Sequence, residues 1–148
     1  MSNLIENKKA YFNYEVLDTF EAGIELFGFE VKSVRASQAS LEGAHVIVRG
    51  GEAFLVGATI APYQQKNTPP EYEPMRTRKL LLTKKEIREL AEKESVKGLT
   101  LAPLALYSKG RRIKMSVAVC RGKKKFDKRE TIKKRDTDRD IRREMKEN

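Results

Sequence analysis

Few residues in this 148-residue chain are of the types that perform catalysis or bind transition metals. The single histidine, His45, and the single cysteine, Cys120, each fall within an alternating apolar stretch that is typical of a β-strand. A structural role is favoured for His45, and Cys120 is a poor candidate nucleophile because no activating histidine lies near it in sequence. One histidine and one cysteine cannot supply a tetrahedral zinc site, although counting does not exclude an all-oxygen site for Mg²⁺ or Ca²⁺.

The glycines and carboxylates give no stronger sign of an enzyme. Glycines occur singly or in pairs as turn formers, and neither the GxxxxGKS/T nor the GxGxxG phosphate-binding pattern is present. Carboxylates such as Glu21, Glu25 and Glu30 are too common to indicate acid–base chemistry by themselves. We therefore expect a non-enzymatic protein without a cofactor, and we keep a metal-dependent nuclease that uses Glu and Asp as a lower-ranked alternative.

The net charge of the sequence indicates the class of its partner. Lys and Arg number 31 against 21 Asp and Glu, which gives a formal net charge of +10. A polyanion such as a nucleic acid is the expected class of partner. One thiol cannot form an internal disulfide, and no apolar run approaches the ~20 residues of a membrane span or forms a secretory leader. We expect a soluble, cytoplasmic protein with no membrane partner.

The charge is concentrated at the C-terminal end. Residues 121–148 carry 13 basic and 7 acidic side chains, and Lys123, Lys124 and Lys125 form a cluster near their start. Large apolar residues are too few there to offset the ~1–2 kcal/mol of backbone entropy that each ordered residue costs. We expect a basic tail that is disordered when free and becomes helical once a partner neutralises it. A solvating tail without a specific partner is the alternative.

Short apolar stretches separated by turns predict a mainly β body ahead of that tail. Residues 11–17 alternate as a half-buried strand does, an apolar stretch over 23–27 follows, and residues 29–35 fit a short helix. Residues 44–49 and 52–60 flank a pair of glycines, which predicts a hairpin with a tight turn.

A capped helix and a second hairpin complete the body. Residues 83–86 (TKKE) form a capping box, and the helix that they begin is expected to end near Gly98. Residues 99–107 and 112–120 flank a short turn as a second hairpin. Pro103 removes a backbone donor from the first of these strands, so that strand is expected to be bulged or at an edge.

These elements predict a small β-barrel. About six short strands with two or three short helices favour a small closed or nearly closed barrel, because closure removes exposed strand edges, and an oligonucleotide-binding (OB)-like barrel is one such solution. Composition alone does not separate an OB-like barrel from an SH3-like barrel or a sandwich. We expect the barrel over residues 1–120 and the tail over residues 121–148.

A second basic cluster lies within the body. Arg76, Arg78 and Lys79 follow a proline-rich connection, and a flexible loop that presents two guanidiniums can grip phosphates. Tyr63 and Tyr72 lie nearby and can stack on bases. A loop that merely improves solubility explains the charge equally well.

Seven short motifs occur in a consistent order and spacing along the chain. They are residues 7–10 (NKKA), 21–24 (EAGI), 28–35 (GFEVKSVR), 51–55 (GEAFL), 60–63 (IAPY), 78–82 (RKLLL) and 122–129 (GKKKFDKR). Together they closely resemble the motifs of the bacterial SsrA-binding protein (small protein B, SmpB) family, and the resemblance runs from about residue 7 into the tail.

The resemblance implies an OB-like RNA-binding adaptor that catalyses no reaction. The family binds the tRNA-like domain of transfer-messenger RNA (tmRNA) and delivers it to stalled ribosomes for trans-translation, which tags the stalled peptide and releases the ribosome. The protein substitutes for the missing anticodon stem in the decoding centre, and its tail enters the mRNA channel. The implied partners are tmRNA, the ribosome with its rRNA, and elongation factor Tu on aminoacylated tmRNA. A monomer is expected.

The matching positions give two groups of candidate site residues. In the barrel the RNA-contacting candidates, with the basic loop residues included, are Glu21, Lys32, Ser33, Arg35, Arg76, Arg78, Lys79 and Leu81. In the tail the candidates for the decoding centre are Gly122, Lys123, Lys124, Asp127, Lys128, Arg129 and Met145. The sequence departs from the family at Thr83, where many relatives have Asn or His, and at Phe126, where they have His or Tyr.

The alternative function is a ribosomal or ribosome-assembly protein that binds rRNA through the tail.

Overall fold

The computed structural model describes residues 3–123. Within this range the chain forms nine strands and three α-helices, together with a short 3₁₀ turn over Gln65–Asn67. In chain order the elements are β1 (Asn3–Glu6), α1 (Lys8–Asn13), β2 (Tyr14–Ile24), α2 (Gly28–Arg35), β3 (Ala39–Ser40), β4 (His45–Arg49), β5 (Glu52–Val56), β6 (Thr59–Ile60), β7 (Arg78–Leu81), α3 (Lys84–Ser95), β8 (Leu99–Lys109) and β9 (Arg112–Gly122).

Seven of the strands form one antiparallel sheet in the order β1-β8-β9-β2-β7-β5-β4, and β3 pairs with β6 separately. The long strands β2, β8 and β9 form the centre of the sheet, which curls until β4 lies close to β8. No hydrogen-bonded ladder joins the two edge strands within the described residues, so the sheet is curled but open. The predicted mainly β, OB-like fold is confirmed, with seven strands in the main sheet where about six were expected.

The core fills the inside of the curled sheet. Ala22, Leu55, Leu80, Met115 and Val117 are at most 1% exposed, and they come from four neighbouring strands. Each strand contributes alternate residues, because successive side chains of a strand point to opposite faces. Helix α3 packs over this core through its own fully buried leucine.

Both predicted hairpins are present, but the strand predicted over 52–60 ends at Val56, and residues 59–60 form β6, which pairs with β3 in the small sheet. Gly50 and Gly51 join β4 to β5 with φ values of 59° and 75°, which residues with a Cβ adopt only at a steric cost. In the second hairpin the register of β8 against β9 shifts between Pro103 and Ala105, which is the bulge expected at this proline. The strand lies between β1 and β9, so it is not an edge strand.

The two predicted helices are confirmed, and the strand predicted over 11–17 is wrong at its first three residues. Residues 29–35 lie in α2, and the capping box that begins α3 is present. Residues 11–13 belong to helix α1 instead of the predicted strand over 11–17. The side-chain oxygen of Asn7 accepts a hydrogen bond from the Ala10 N–H and caps this helix, which outweighs the alternation that the strand prediction used.

Strand β9 continues two residues past the expected end of the barrel. Gly122 pairs with Tyr14, and the Lys123 N–H donates to the carbonyl of Asn13. The tail predicted over residues 121–148, disordered when free and helical on the ribosome, therefore begins with two residues, 121 and 122, that lie in β9. Residues 124–148 of that prediction lie outside the described residues. In the part of the chain that is described, no helix is long and apolar enough to cross a membrane.

Candidate nucleic-acid interface

A groove of about 440 Å³ opens where the end of β2, strand β7 and the start of β9 meet. Its floor is apolar and includes Gly23 and Leu81, while Arg111, Arg112 and Lys114 supply positive charge around it. These three cations form no ion pair with any residue in the described range. We call this surface the basic groove.

The apolar floor depends on a close approach of two strands. A Cβ added at Gly23 would lie 3.1 Å from the Cβ of Leu81, so a larger residue there would crowd Leu81 and require its side chain to move by a few tenths of an ångström. Leu81 packs above Gly23 and still exposes half of its surface. This explains the glycine of the EAGI motif, and it places predicted Leu81 at the centre of the groove.

Glu21 lies beside the groove as a carboxylate held in one orientation. It accepts hydrogen bonds from the Tyr107 hydroxyl at 2.6 Å and from Lys109 Nζ at 2.9 Å. These two bonds, with that of Tyr107 the larger cause, lower the pKa of Glu21 below its ordinary value. Glu21 therefore offers fixed acceptor oxygens, which suit base amino groups or ribose 2′-hydroxyls.

Arg35 links helix α2 to the turn that carries the basic groove. Its guanidinium donates to Ser108 Oγ at 3.2 Å and to the Arg111 carbonyl at 3.1 Å. The side chain is exposed, so it keeps donor groups for an additional ligand. Three predicted residues, namely Glu21, Arg35 and Leu81, are thus brought to one face.

Sequence reasoning missed the residues that contribute most of the charge on this face. Arg111, Arg112 and Lys114 were seen only as parts of a hairpin, and Tyr107 and Lys109 only as parts of a strand and its turn. The available signal was the density of cations in the segment 109–114 (KGRRIK), because a tight turn crowds them together.

The two arginines of the basic loop lie elsewhere, around a buried carboxylate of helix α2. Glu30 is 0% exposed and accepts hydrogen bonds from Arg76, Arg78 and Tyr72. Burial raises the pKa of Glu30, but these bonds and one from the Phe27 N–H outweigh it, and the net pKa is lowered. We call this set of side chains the Glu30 network.

The prediction that this loop presents two free guanidiniums is wrong. Arg78 is 0% exposed, while Arg76 lies over the Phe27 ring, 4.2 Å from its centroid, and pairs with Glu30. Tyr72 is held by its hydroxyl in the same network, and burial is the main cause that raises its pKa to about 12. The sequence shows the two arginines but not that the fold delivers a buried carboxylate to them.

Ser33 also faces the interior instead of a ligand. It is 0% exposed, and its hydroxyl donates to the Ala61 carbonyl at 2.6 Å. The contact of Ser33 with Ala61, like the Glu30 network, ties the proline-rich connection to α2. In this fold the side chains of Ser33 and Arg78 are inaccessible to RNA.

Two further candidates, Lys32 and Lys79, lie on the surface outside the basic groove. Lys32 projects from α2, with its Nζ 5.9 Å from the centroid of the Tyr63 ring. Lys79 on β7 pairs with Glu52 at 3.2 Å, and its side chain is 40% exposed.

The start of the tail lies at the far end of β9 from the basic groove. Lys123 Nζ donates to the Tyr11 carbonyl at 3.0 Å, beside the pairing of Gly122 with Tyr14. Strand β9 runs from Arg112 to Gly122, and at ~3.3 Å per residue it separates the two regions by about 33 Å. The other tail candidates lie outside the described residues, namely Lys124, Asp127, Lys128, Arg129 and Met145.

The described residues show no arrangement that supports an enzyme. Within 3–123 no three His, Cys, Asp or Glu side chains are grouped in a way that could hold a metal ion. Cys120 is fully buried with its Sγ 3.4 Å from the Thr100 carbonyl, and burial raises the pKa of its thiol to about 11. Its 0% exposure confirms the expected core position, and both the burial and the raised pKa disfavour the reactive thiolate.

Comparisons with known proteins agree on one family. The family model described as SmpB protein matches residues 4–147. The SsrA-binding protein of Microcystis aeruginosa is 49% identical over 143 residues, which is 97% of this chain and 93% of the relative. The SsrA-binding protein of Mesoplasma florum is 51% identical over 133 residues, covering 90% of this chain and 89% of the relative.

A solved structure supports the same conclusion from the fold. A chain in the structure described as "tmRNA-SmpB: a journey to the center of the bacterial ribosome" superposes with a TM-score of 0.69. It is 43% identical, and the match covers 82% of this chain and 85% of that chain. From its sequence motifs, its fold and these matches, the chain belongs to the SmpB, or SsrA-binding protein, family.

Proposed function

We propose that this protein binds the tRNA-like domain of tmRNA and delivers it to stalled ribosomes for trans-translation, in place of the missing anticodon stem. Its relatives are named for binding SsrA, and the similar solved structure is described as tmRNA with SmpB on the bacterial ribosome. The protein acts as an adaptor and catalyses no step itself. Elongation factor Tu accompanies it when the tmRNA is aminoacylated.

The observation that carries this proposal is the composition of the basic groove. Arg111, Arg112 and Lys114 are free to neutralise phosphates, while Leu81 offers an apolar surface. The fixed carboxylate of Glu21 repels phosphates but accepts hydrogen bonds from hydroxyl and amino groups. Together these groups fit a folded RNA, whose grooves expose 2′-hydroxyls and base edges between phosphates.

The second part of the proposal assigns the tail to the ribosome. The start of the tail at Gly122 and Lys123 lies up to about 33 Å from the basic groove, measured along β9, so the proposed RNA site and the start of the tail are at opposite ends of this strand. A basic segment with few apolar side chains gains structure when rRNA neutralises it. We infer that this segment contacts the decoding centre and the mRNA channel.

A competition gel-shift assay tests the RNA partner. The labelled tRNA-like domain is bound to the full-length protein and challenged with ordinary tRNA of the same size and with rRNA fragments. We expect the unlabelled tRNA-like domain to compete at least tenfold better than either. If rRNA fragments compete best, the protein is a ribosomal or assembly factor and the proposal is wrong.

A truncation separates the two parts. The structure places the cut after Lys123, because Gly122 and Lys123 are bonded to the barrel. The chain ending at Lys123 should bind the tRNA-like domain within a few-fold of the full-length protein but should fail to support peptide tagging on stalled ribosomes. Normal tagging by the truncated chain would refute the role of the tail.

A further inference from the structure

A second pocket of about 250 Å³ lies beside helix α2 and shares no lining residue with the basic groove. Phe29 and Lys32 of α2 line one side of it, and Tyr63, Gln64 and Asn67 of the proline-rich connection line the other. The volume is sufficient for one nucleobase. We call it the α2 pocket.

The chemistry of the α2 pocket matches that of a nucleotide. Tyr63 leaves 41% of its surface exposed, so part of its ring is available for stacking. Lys32 Nζ lies 5.9 Å from the centroid of this ring and forms no ion pair with residues 3–123. An exposed aromatic ring beside an ammonium without a counterion provides a stacking surface for a base and a partner for its phosphate.

The walls of the α2 pocket are already fixed in the absence of RNA. The Phe29 ring packs edge-on against Tyr72 with centroids 4.7 Å apart, and Tyr72 is bonded to Glu30. Ser33 holds the connection to α2 through the Ala61 carbonyl, two residues before Tyr63. Binding therefore requires little ordering of these side chains, which lowers its entropic cost.

Polar side chains also line the pocket. Asn67 Nδ2 donates to Gln64 Oε1 at 2.6 Å, and the Thr68 hydroxyl donates to the Gln64 carbonyl at 2.7 Å. These bonds leave the Gln64 amide N–H groups and the Asn67 carbonyl oxygen able to bond a ligand. A donor next to an acceptor is the pattern that the Watson–Crick edge of an unpaired base recognises.

We propose that the α2 pocket receives one unpaired nucleotide of the tRNA-like domain, with its base stacked on Tyr63 and its phosphate beside Lys32. This inference rests on the proposed function, because it adds a single-nucleotide site to the surface that holds the RNA. It also assigns a role to the Glu30 network, which keeps Phe29 and the connection in place around the pocket.

An NMR titration tests the pocket independently of tmRNA. The full-length protein is titrated with each of the four nucleoside 5′-monophosphates, with ribose 5-phosphate and with inorganic phosphate. We expect saturable shifts at Lys32, Tyr63 and Asn67 with at least one nucleotide, and clearly weaker ones with the two compounds that lack a base. Absent shifts at these residues, or equal shifts with inorganic phosphate, would overturn the proposal.

A gel-shift series with the tRNA-like domain tests the same site in RNA. Tyr63→Ala should weaken binding roughly fivefold to a hundredfold, as expected for one lost stacking contact, while Tyr63→Phe should restore it. Met75→Ala is the control, because Met75 is 54% exposed on the same connection but does not line the pocket. Equal affinity for Tyr63→Ala and wild type would overturn the proposal. If the proposed function itself were wrong, the wild-type protein would show no preference for this RNA over ordinary tRNA or rRNA fragments.

Discussion

Replacing Glu30 with glutamine should destabilise the barrel more than any exposed ion-pair substitution. Both carboxylate oxygens of Glu30 accept hydrogen bonds. Oε1 accepts from the Phe27 N–H and from Arg76, and Oε2 accepts from Tyr72, Arg76 and Arg78. A glutamine amide in either orientation turns an N–H₂ group towards such donors. It also leaves the guanidinium of Arg78 buried without a counterion.

The expected loss of folding stability follows from the burial of both Glu30 and its partner Arg78. Glu30 and Arg78 are each 0% exposed, and removing one member of such a pair costs about 3–5 kcal/mol. A domain of this size loses roughly 4 °C in Tm for each kcal/mol, so Glu30→Gln should lower Tm by about 12–20 °C. The matched control is Glu52→Gln, which removes the exposed pair with Lys79 and should change stability by under about 1 kcal/mol.

The pH dependence of the free energy of unfolding provides a second test of the Glu30 network. Because the pKa of Glu30 is lower in the folded protein, its ionisation stabilises the fold above the unfolded-state pKa of about 4.3. This contribution is lost as the pH falls through the lower, folded-state pKa. The difference in free energy of unfolding between wild type and Glu30→Gln should therefore be largest above about pH 5 and should become smaller as the pH falls below that value.

Urea unfolding followed by circular dichroism, at pH values from 3 to 7, measures both effects. The m-value of each variant shows whether the comparison remains two-state. If Glu30→Gln were as stable as Glu52→Gln at pH 7, the Glu30 network would not hold the fold together. The assignment of Arg76 and Arg78 to structure instead of RNA would then have to be withdrawn.

Three other outcomes are expected. Arg112→Ala and Lys114→Ala should each reduce by about one the magnitude of the slope of log K against log[salt], where K is the association constant for the tRNA-like domain. An unchanged slope in gel shifts at several salt concentrations would show that these two residues do not contact phosphates. Thr83→Ala should cost about 0.5–2 kcal/mol in urea unfolding, through loss of the N-cap of α3, whereas Thr83→Ser should not. Cys120 should resist thiol-reactive dye at pH 8 until the protein is unfolded, and rapid labelling of the native protein would contradict its buried position.

The sequence by itself determined most of the local structure and the chemical class of the protein. The cap at Thr83, the paired glycines at 50 and 51 and the proline at 103 act through their own backbone geometry, so their effects were predictable and were found. The surplus of cations likewise indicated a polyanionic partner without any knowledge of the fold. At α1 a local signal misled, because the cap supplied by Asn7 outweighed the alternation of residues 11–17. The strand predicted over 52–60 was also too long, because it ends at Val56 and residues 59–60 pair with β3.

Tertiary structure alone decided which cations are free to bind RNA. Arg76 and Arg78 were candidate phosphate ligands in the sequence, yet Glu30, 46 and 48 residues earlier, pairs with both of them in the fold. Arg112 and Lys114 looked ordinary, yet they line a groove with no carboxylate paired to them in the described residues. Whether a charge is exposed or compensated depends on contacts between distant segments, and a sequence pattern does not contain those distances.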